Sequence, residues 1–255
     1  MITTGVDDVT GTILNDAVRT YHAMLRHALD GLALDAVEAV TREILATYDR
    51  GGQIFVFGNG GSAATASHMA CDLGKNTVTP GLPRLRIQSL TDNTALLTAL
   101  ANDLGYEAVF AEQLLQAPVW AEDLIIAISG SGNSPNVLAG VATATHAGAH
   151  TVGITGFCGG ALATTVDVAL IVASDCMEII EDVHLMINHA ITTGVRMALR
   201  ARTAAAPTGS SPRPASPLHG ARRSLRGDGV LAARTGDVST PLFTPGAASG
   251  RHSQR

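Results

Sequence analysis

The sequence predicts an α/β protein whose parallel β-sheet is covered by helices on both faces. Short, continuously apolar runs at residues 54–57 and 124–128 alternate with longer segments of helical spacing. Such runs are typical of strands buried on both faces, which occur in parallel sheets with helical crossovers. Loops rich in glycine and serine follow both runs, at residues 58–62 and 129–134. In parallel sheets ligands bind beyond the carboxyl ends of the strands, so the two loops predict a binding site there.

Two helices are predicted to open the chain. Apolar residues recur at helical spacing from Leu14 to Leu25 and again from Val37 to Ile44, with a break near Gly31.

The alternation of strands and helices continues to about residue 200. We predict strands at 53–57, 85–89, 124–128, 150–154 and 166–172, and helices at 62–74, 94–103, 107–116, 135–147 and 178–200. The result is one domain, residues 1–202, with a parallel five-stranded sheet and right-handed crossovers.

Residues 203–255 differ in composition from the rest of the chain. They are rich in Pro, Gly, Ser and Ala and show no hydrophobic periodicity. A segment of this kind cannot bury enough surface to offset its chain entropy, so we predict a disordered tail. Its seven Arg and two Asp give +5, and since the whole chain is −5, residues 1–202 carry −10.

Charge, hydropathy and cysteine spacing exclude several functional classes. An acidic body argues against a nucleic-acid-binding core. No stretch reaches the ~20 apolar residues of a membrane span, and residues 1–8 do not resemble a secretory signal. The three cysteines, at 71, 158 and 176, form no CxxC pair. We therefore expect a cytoplasmic protein in a reducing compartment, without a membrane or nucleic-acid partner.

The first glycine-rich loop, residues 58–62, predicts an anion site. Glycines let backbone N–H groups approach a ligand, and the N-terminus of the following helix adds further donors and partial positive charge. A plain strand-to-helix turn would have the same composition. Beyond the loop, His68 and Asp72 are four residues apart and therefore share one face of the helix.

The second loop, residues 129–134, strengthens the prediction of an anion-binding site. Its three serines can each donate to a different phosphate oxygen, although Ser134 also suits a helix N-cap. Neither loop contains the lysine of a nucleotide-binding P-loop, and the spacing does not fit a dinucleotide-binding fingerprint.

Several motifs occur together in an order that resembles a known family. They are Gly58-Asn59-Gly60-Gly61-Ser62, His68, residues 89–93 (SLTDN), residues 101–106 (ANDLGY), residues 129–134 (SGSGNS) and residues 181–184 (EDVH). Over roughly residues 10–200 they look like the sugar isomerase (SIS) domain, and more narrowly like the phosphoheptose isomerases.

The resemblance implies a fold, an assembly and a reaction. It implies a flavodoxin-like three-layer α/β/α sandwich and a homotetramer with active sites at subunit interfaces. The family reaction interconverts sedoheptulose 7-phosphate, a ketose, and D-glycero-D-manno-heptose 7-phosphate, an aldose. Such a reaction moves a proton between C1 and C2 through an enediol, and therefore needs a base, an acid and stabilisation of an oxyanion.

The resemblance also implies roles for individual residues. Asp72 is the expected base and His189 the expected acid. The expected ligands of one zinc or other divalent ion per subunit are His68, Asp72, Glu181 and His189. The expected substrate-binding residues are Asn59, Gly60, Ser62, Asp92, Asn93, Ser129, Ser131, Ser134 and Glu181.

Two site positions depart from the family pattern. Asp72 stands where the family usually has Glu, and Glu181 where it usually has Gln. Since Glu181 and His189 are eight residues apart, their Cα atoms would be ~12 Å apart on one helix. We expect either that residue 181 precedes the helix or that different chains supply the two residues. His184 is expected to be structural or an outer neighbour of the ligands, because it lies about 140° around the helix from His189.

Two alternatives to an isomerase are open at this point. Some relatives with this domain are non-catalytic adaptors that bind a replication initiator, and others are regulatory modules that sense a sugar phosphate. An adaptor should lack a full set of acid, base and metal ligands. A regulator usually carries a DNA-binding domain, and residues 1–50 show no basic helix-turn-helix.

Overall fold

A computed structural model describes residues 4–204, and side chains from residue 10 onward. Five parallel strands form one sheet in the order β2-β1-β3-β4-β5. The strands are β1 (Ile54–Gly58), β2 (Ile87–Ser89), β3 (Leu124–Ser129), β4 (His150–Gly156) and β5 (Val168–Val172). Since β1 and β3 are neighbours, the loops that follow them lie side by side at one edge of the sheet.

Helices lie along both faces of the sheet. They are α1 (Thr4–Asp30), α2 (Leu34–Asp49), α3 (Gly61–Asn76), α4 (Thr94–Leu104), α5 (Val109–Gln116), α6 (Pro135–His146), α7 (Leu162–Thr165) and α8 (Met177–Ala204). A 3₁₀ turn, Tyr106–Ala108, precedes α5.

The alternation of side chains along the strands divides the core into two clusters. Ile54 and Val56 face α1, α2, α3 and α8, whereas Phe55 and Phe57 face α4, α5 and α6. Phe57 stacks on Phe110 with ring centroids 4.7 Å apart. The three-layer α/β/α sandwich and the five-stranded parallel sheet predicted from the sequence are therefore confirmed.

The predicted elements differ from the observed ones mainly at their ends. Strand β2 is shorter than the predicted 85–89, because it is an edge strand that pairs only with β1. Helix α7 was not predicted, and its four residues are too few to show a helical period. Helix α8 runs to Ala204, two residues beyond the predicted domain boundary, and Arg202 Nη2 donates to Asp49 Oδ2 on α2 at 3.0 Å. The tail prediction otherwise lies outside the described residues.

Within the described residues, none of the helices is both long and apolar enough to cross a membrane. The three cysteines are all unpaired, as expected from their spacing, and the assignment to a reducing compartment stays a prediction.

Candidate active site

A pocket of about 240 Å³ opens where the loops after β1 and β3 meet. Both loops end parallel strands that are direct neighbours, so the topology brings their residues together. The residues that line the pocket are Asn59, Gly60, Gly61, Ser62, Ser129, Gly130, Ser131, Ser134, Met177 and Glu181. The structure therefore gathers all four predicted phosphate-binding serines in one place.

The two loops approach each other closely because residue 58 is a glycine. A Cβ atom at Gly58 would lie 2.6 Å from the carbonyl oxygen of Ile128 and 2.7 Å from the Cβ of Ser62. Both neighbouring atoms belong to the rigid frame of the pocket. A side chain at this position would therefore push β3 and the start of α3 apart.

Two helices begin at the pocket without a side-chain cap. Gly60 and Ser134 hold the N-cap positions of α3 and α6, and neither makes a side-chain capping hydrogen bond. Ser134 thus occupies the N-cap position for which the sequence suited it, but its hydroxyl lies 3.1 Å from the hydroxyl of Ser129 and does not cap the helix.

At the start of α3 the N–H groups of Gly61 and Ser62 make no hydrogen bond within the described residues, so they are available to an anion. Helix α6 offers less, because it begins with Pro135, which has no N–H, and the N–H of Val137 donates to Asn136 Oδ1 at 3.0 Å.

Asn59 is fixed by two residues to which the sequence assigned no role. Its Nδ2 donates to Asn136 Oδ1 at 2.8 Å, and its Oδ1 accepts from Asn136 Nδ2 at 2.9 Å. The hydroxyl of Tyr106 also donates to Asn59 Oδ1 at 2.8 Å. Asn136 is 2% exposed, and a polar residue within the apolar face of a helix is the signal that could have revealed it.

Glu181 belongs to this pocket. Its carboxylate lies directly over Gly61, where an added Cβ atom would be 2.3 Å from Cδ of Glu181 and would require this side chain to move. Because α8 begins at Met177, Glu181 lies inside the helix, and the expectation that it might precede the helix is wrong. It is eight positions before His189 on the same helix, and it is not among the donors that lie close to His189 in this chain. That different subunits supply Glu181 and His189 to one site stays a prediction.

Asp92 and Asn93 lie outside the serine pocket. They line a separate, open depression of about 770 Å³ beside α3, together with Ser67 and Ser89. The carboxylate of Asp92 accepts a hydrogen bond from the hydroxyl of Ser67. Asn93 caps α4 by accepting from the N–H of Leu96 at 3.1 Å.

The second part of the site is a cluster of His68, Asp72 and His189. Helix α3 supplies the first two and α8 the third, and their donor atoms all lie within 4.8 Å of one another. Nε2 of His68 is 3.3 Å from Nε2 of His189 and 3.3 Å from Oδ2 of Asp72. Nε2 of His189 is 3.7 Å from the same carboxylate oxygen.

These separations fit a tetrahedral metal ion. Ligand atoms about 2.0–2.1 Å from a zinc ion at tetrahedral angles lie ~3.3 Å from each other. Two imidazoles and one carboxylate are also a donor set that zinc accepts. Within residues 10–204 this is the group that brings three such donors together, and Glu181 is not part of it.

His184 is placed as the sequence predicted, away from this cluster. It is 1% exposed, and its Nε2 lies 3.2 Å from the carbonyl oxygen of Thr155. Burial lowers the pKa of His184 to about 4, although the hydrogen bond to Thr155 partly opposes that shift. The ring is therefore neutral at physiological pH and serves the packing of α8 against β4.

Known proteins resemble this chain in sequence and in structure. The SIS domain family model matches residues 19–156. A probable phosphoheptose isomerase of Thermoplasma acidophilum is 38% identical over 160 residues, covering 63% of this chain and 87% of that protein. A phosphoheptose isomerase of Solidesulfovibrio magneticus is 41% identical over 157 residues, covering 62% of this chain and 76% of that protein.

A solved structure agrees with these relatives. The phosphoheptose isomerase of Neisseria gonorrhoeae superimposes with a TM-score of 0.67 at 29% identity, over 72% of this chain and 99% of that one. The chain belongs to the SIS domain family and, within it, to the phosphoheptose isomerases.

Proposed function

We propose that this protein is a phosphosugar isomerase that interconverts sedoheptulose 7-phosphate and D-glycero-D-manno-heptose 7-phosphate. The main support is that one helix, α3, joins the serine pocket at its start to a three-donor cluster further along. An anion site beside a group that can move protons is what an aldose–ketose isomerase of a phosphorylated sugar requires. The names of the related proteins point to the same reaction.

The distance between the two parts suits a heptose phosphate. Ser62 and His68 are six residues apart on α3, which is about 9 Å along the helix axis. An open seven-carbon chain with a terminal phosphate has eight bonds from C1 to phosphorus. At ~1.2 Å per bond in an extended chain it is about 10 Å long. The phosphate can thus lie at the serines while C1 and C2 reach the cluster.

The serine pocket supplies the binding of the phosphate. The hydroxyls of Ser62, Ser129, Ser131 and Ser134 and the N-terminus of α3 are its donors. Within the pocket lining the one ionisable side chain is Glu181, so neutral donors rather than basic residues bind the anion. Holding the far end of the sugar in this way lowers the entropic cost of aligning its reacting carbons.

Asp72 and His189 are the proposed acid–base pair. Asp72 transfers the proton between C1 and C2, and His189 gives a proton to, and takes it from, the neighbouring oxygen. Oδ2 of Asp72 lies 3.7 Å from Nε2 of His189, so the two groups face the same region of the site. If these two atoms hold a metal ion, the second carboxylate oxygen of Asp72 and Nδ1 of His189 are the atoms left to exchange protons. The intermediate between the two proton transfers is an enediol.

One zinc ion per subunit fits His68, Asp72 and His189, whose separations and donor types were described above. When bound, such an ion stabilises developing negative charge on the substrate oxygen as a Lewis acid. Three protein ligands leave a position open for substrate, as in catalytic rather than structural zinc sites.

We further propose a homotetramer with its active sites at subunit interfaces. Ile13, Leu14 and Val18 are each more than 60% exposed on α1, which leaves an apolar face of this helix in water. The side chains of His68 and His189 are 42% and 53% exposed, so a neighbouring subunit would shield the cluster from solvent. Light scattering coupled to size exclusion would measure the assembly, and a monomer at micromolar concentration would contradict it.

Turnover of sedoheptulose 7-phosphate tests the proposed reaction. The full chain, depleted of metal and then given zinc chloride, should produce the aldose phosphate, followed by NMR. Asp72→Asn keeps the size of the side chain and removes its basicity, so turnover should fall ~10²-fold or more. Asp35→Asn, an exposed change in the first turn of α2, should leave turnover unaltered.

A negative result would also be informative. Wild-type protein that binds zinc but turns over no ketose phosphate would refute the isomerase. Capture of a protein partner by that inactive tetramer would favour the adaptor instead.

A further inference from the structure

Two amide side chains meet the carboxylate of Asp72. Asn76, one turn further along α3, donates from Nδ2 to Oδ1 at 2.9 Å. Asn188, on α8 beside His189, donates from Nδ2 to Oδ2 at 3.4 Å. We propose that Asn76 and Asn188 are positioning residues that direct Oδ2 of Asp72 toward the two imidazoles and thereby set the affinity of the cluster for its metal ion.

The bond from Asn76 decides which oxygen faces the cluster. A carboxylate that is free to rotate about its χ2 angle presents either oxygen, or both, to an ion. With Oδ1 occupied by Asn76, Oδ2 is left 3.3 Å from Nε2 of His68 and 3.7 Å from Nε2 of His189. Asp72 is therefore restricted to binding through one oxygen, in the orientation that the histidines need.

Asn188 lowers the stability of the fold at its position, because it buries a polar group with an unsatisfied oxygen. It is fully buried, between the buried Ile187 and Ile191 of α8. Its Oδ1 has no hydrogen-bond partner among the described residues, and a buried acceptor without a partner destabilises a fold. A leucine has the same branched shape and the same number of side-chain non-hydrogen atoms, and it carries no polar group that needs a partner. The hydrogen bond that Asn188 does make is the one to Asp72. The amide therefore orients the carboxylate, although it leaves a buried oxygen without a partner.

The same helix offers a matched comparison at Thr192. Thr192 lies one turn beyond Asn188, is 4% exposed, and has an Oγ1 without a partner among the described residues. It makes no hydrogen bond to Asp72. Replacing each of these two residues by an apolar residue of similar shape removes one unsatisfied buried atom. Only the change at 188 also removes a donor from Asp72.

Titration of the metal-free full chain with zinc tests the inference. The choice of zinc as the ion rests on the proposed function. Asn188→Leu should melt at a higher temperature than wild type without metal, yet bind zinc chloride 10–100-fold more weakly in competition with a chelating dye. That loss is the usual scale for removing a group that orients a metal ligand. Thr192→Val should also melt higher, but bind zinc as wild type does.

A higher melting temperature together with a weaker zinc affinity in Asn188→Leu would show that Asn188 positions Asp72, because a purely structural residue would not change the zinc affinity. Unchanged zinc affinity in Asn188→Leu would overturn the inference. If Asn188→Leu does not fold, Asn76→Ala on the half-buried end of α3 gives the same test: a 10–100-fold loss supports the inference and no loss overturns it. Wild-type turnover is measured in a separate experiment. A wild-type protein that binds zinc but has no activity would refute the proposed isomerase reaction, whereas the effect of Asn188 on zinc affinity would still hold.

Discussion

Acid should destabilise this protein through His184, a residue outside the active site. The imidazole is 1% exposed, and its Nε2 must carry the proton because Thr155 offers only a carbonyl oxygen. Its Nδ1 has no hydrogen-bond partner among the described residues. A second proton on this ring would therefore place a buried charge where nothing compensates it.

The size of the effect follows from the pKa of His184. Burial lowers the pKa from its ordinary 6.5 to about 4 in the folded protein. At ~1.36 kcal/mol per pKa unit, this difference is worth about 3 kcal/mol. Between these two pH values the unfolded chain binds a proton that the folded chain does not. The contribution of His184 is therefore complete above pH 6.5 and is lost as the pH falls toward 4.

Urea denaturation at a series of pH values from 7.5 to 4 measures this loss. His184→Gln keeps an N–H donor for Thr155 but does not titrate, so its free energy of unfolding should fall by about 3 kcal/mol less than that of wild type across this range. His146→Gln, an exposed change at the end of α6, should follow wild type. Protein concentration is held fixed and chelator is present, because assembly and metal both shift apparent stability.

Curves for wild type and His184→Gln that stay parallel from pH 7.5 to 4 would refute the reasoning. They would mean that the folded protein accepts a proton at His184 as readily as the unfolded chain does.

Three further predictions concern the pocket and the tail. Gly58→Ala should lower the free energy of unfolding in urea by about 1–3 kcal/mol, because its Cβ would lie 2.6 Å from the Ile128 carbonyl oxygen; unchanged stability would contradict the close approach. Ser131→Ala should raise the KM for the sugar phosphate with little change in kcat, since a phosphate contact exists in ground and transition states alike; steady-state kinetics with an equal loss in kcat would contradict this. Removal of residues 205–255, which lie outside the described residues, should leave the melting temperature within error in differential scanning fluorimetry, and a large drop would show that the tail packs on the domain.

Much of the fold could be predicted because its strands are buried on both faces. Continuous apolar runs mark β1 and β3 directly, and the alternation with helical segments indicates a parallel sheet. The edge strand β2 has one neighbour and three residues, so its ends depend on pairing with β1 rather than on its own sequence. Helix α7 could not be predicted either, because its four residues are too few to show a helical period.

The site was predictable where its residues are close in sequence. His68 and Asp72 share a helix face by their spacing, and the serines of residues 129–134 stand in one loop. His189 is 121 residues from His68, and only the family resemblance connected them. Asn188 gave a weaker signal: it is one of three polar residues, with His184 and Thr192, on the largely apolar buried face of α8, and local spacing does not tell them apart.

Because its donors come from two helices, the cluster has a fixed place in the order of biosynthesis. A nascent chain that has emerged only through β4 carries His68 and Asp72 but not His189. Domains fold as units while N-terminal segments appear first, so α8 can dock against α3 only late in synthesis. The complete three-donor cluster thus first exists when α8 packs against α3, and the same step completes the core cluster to which both helices contribute.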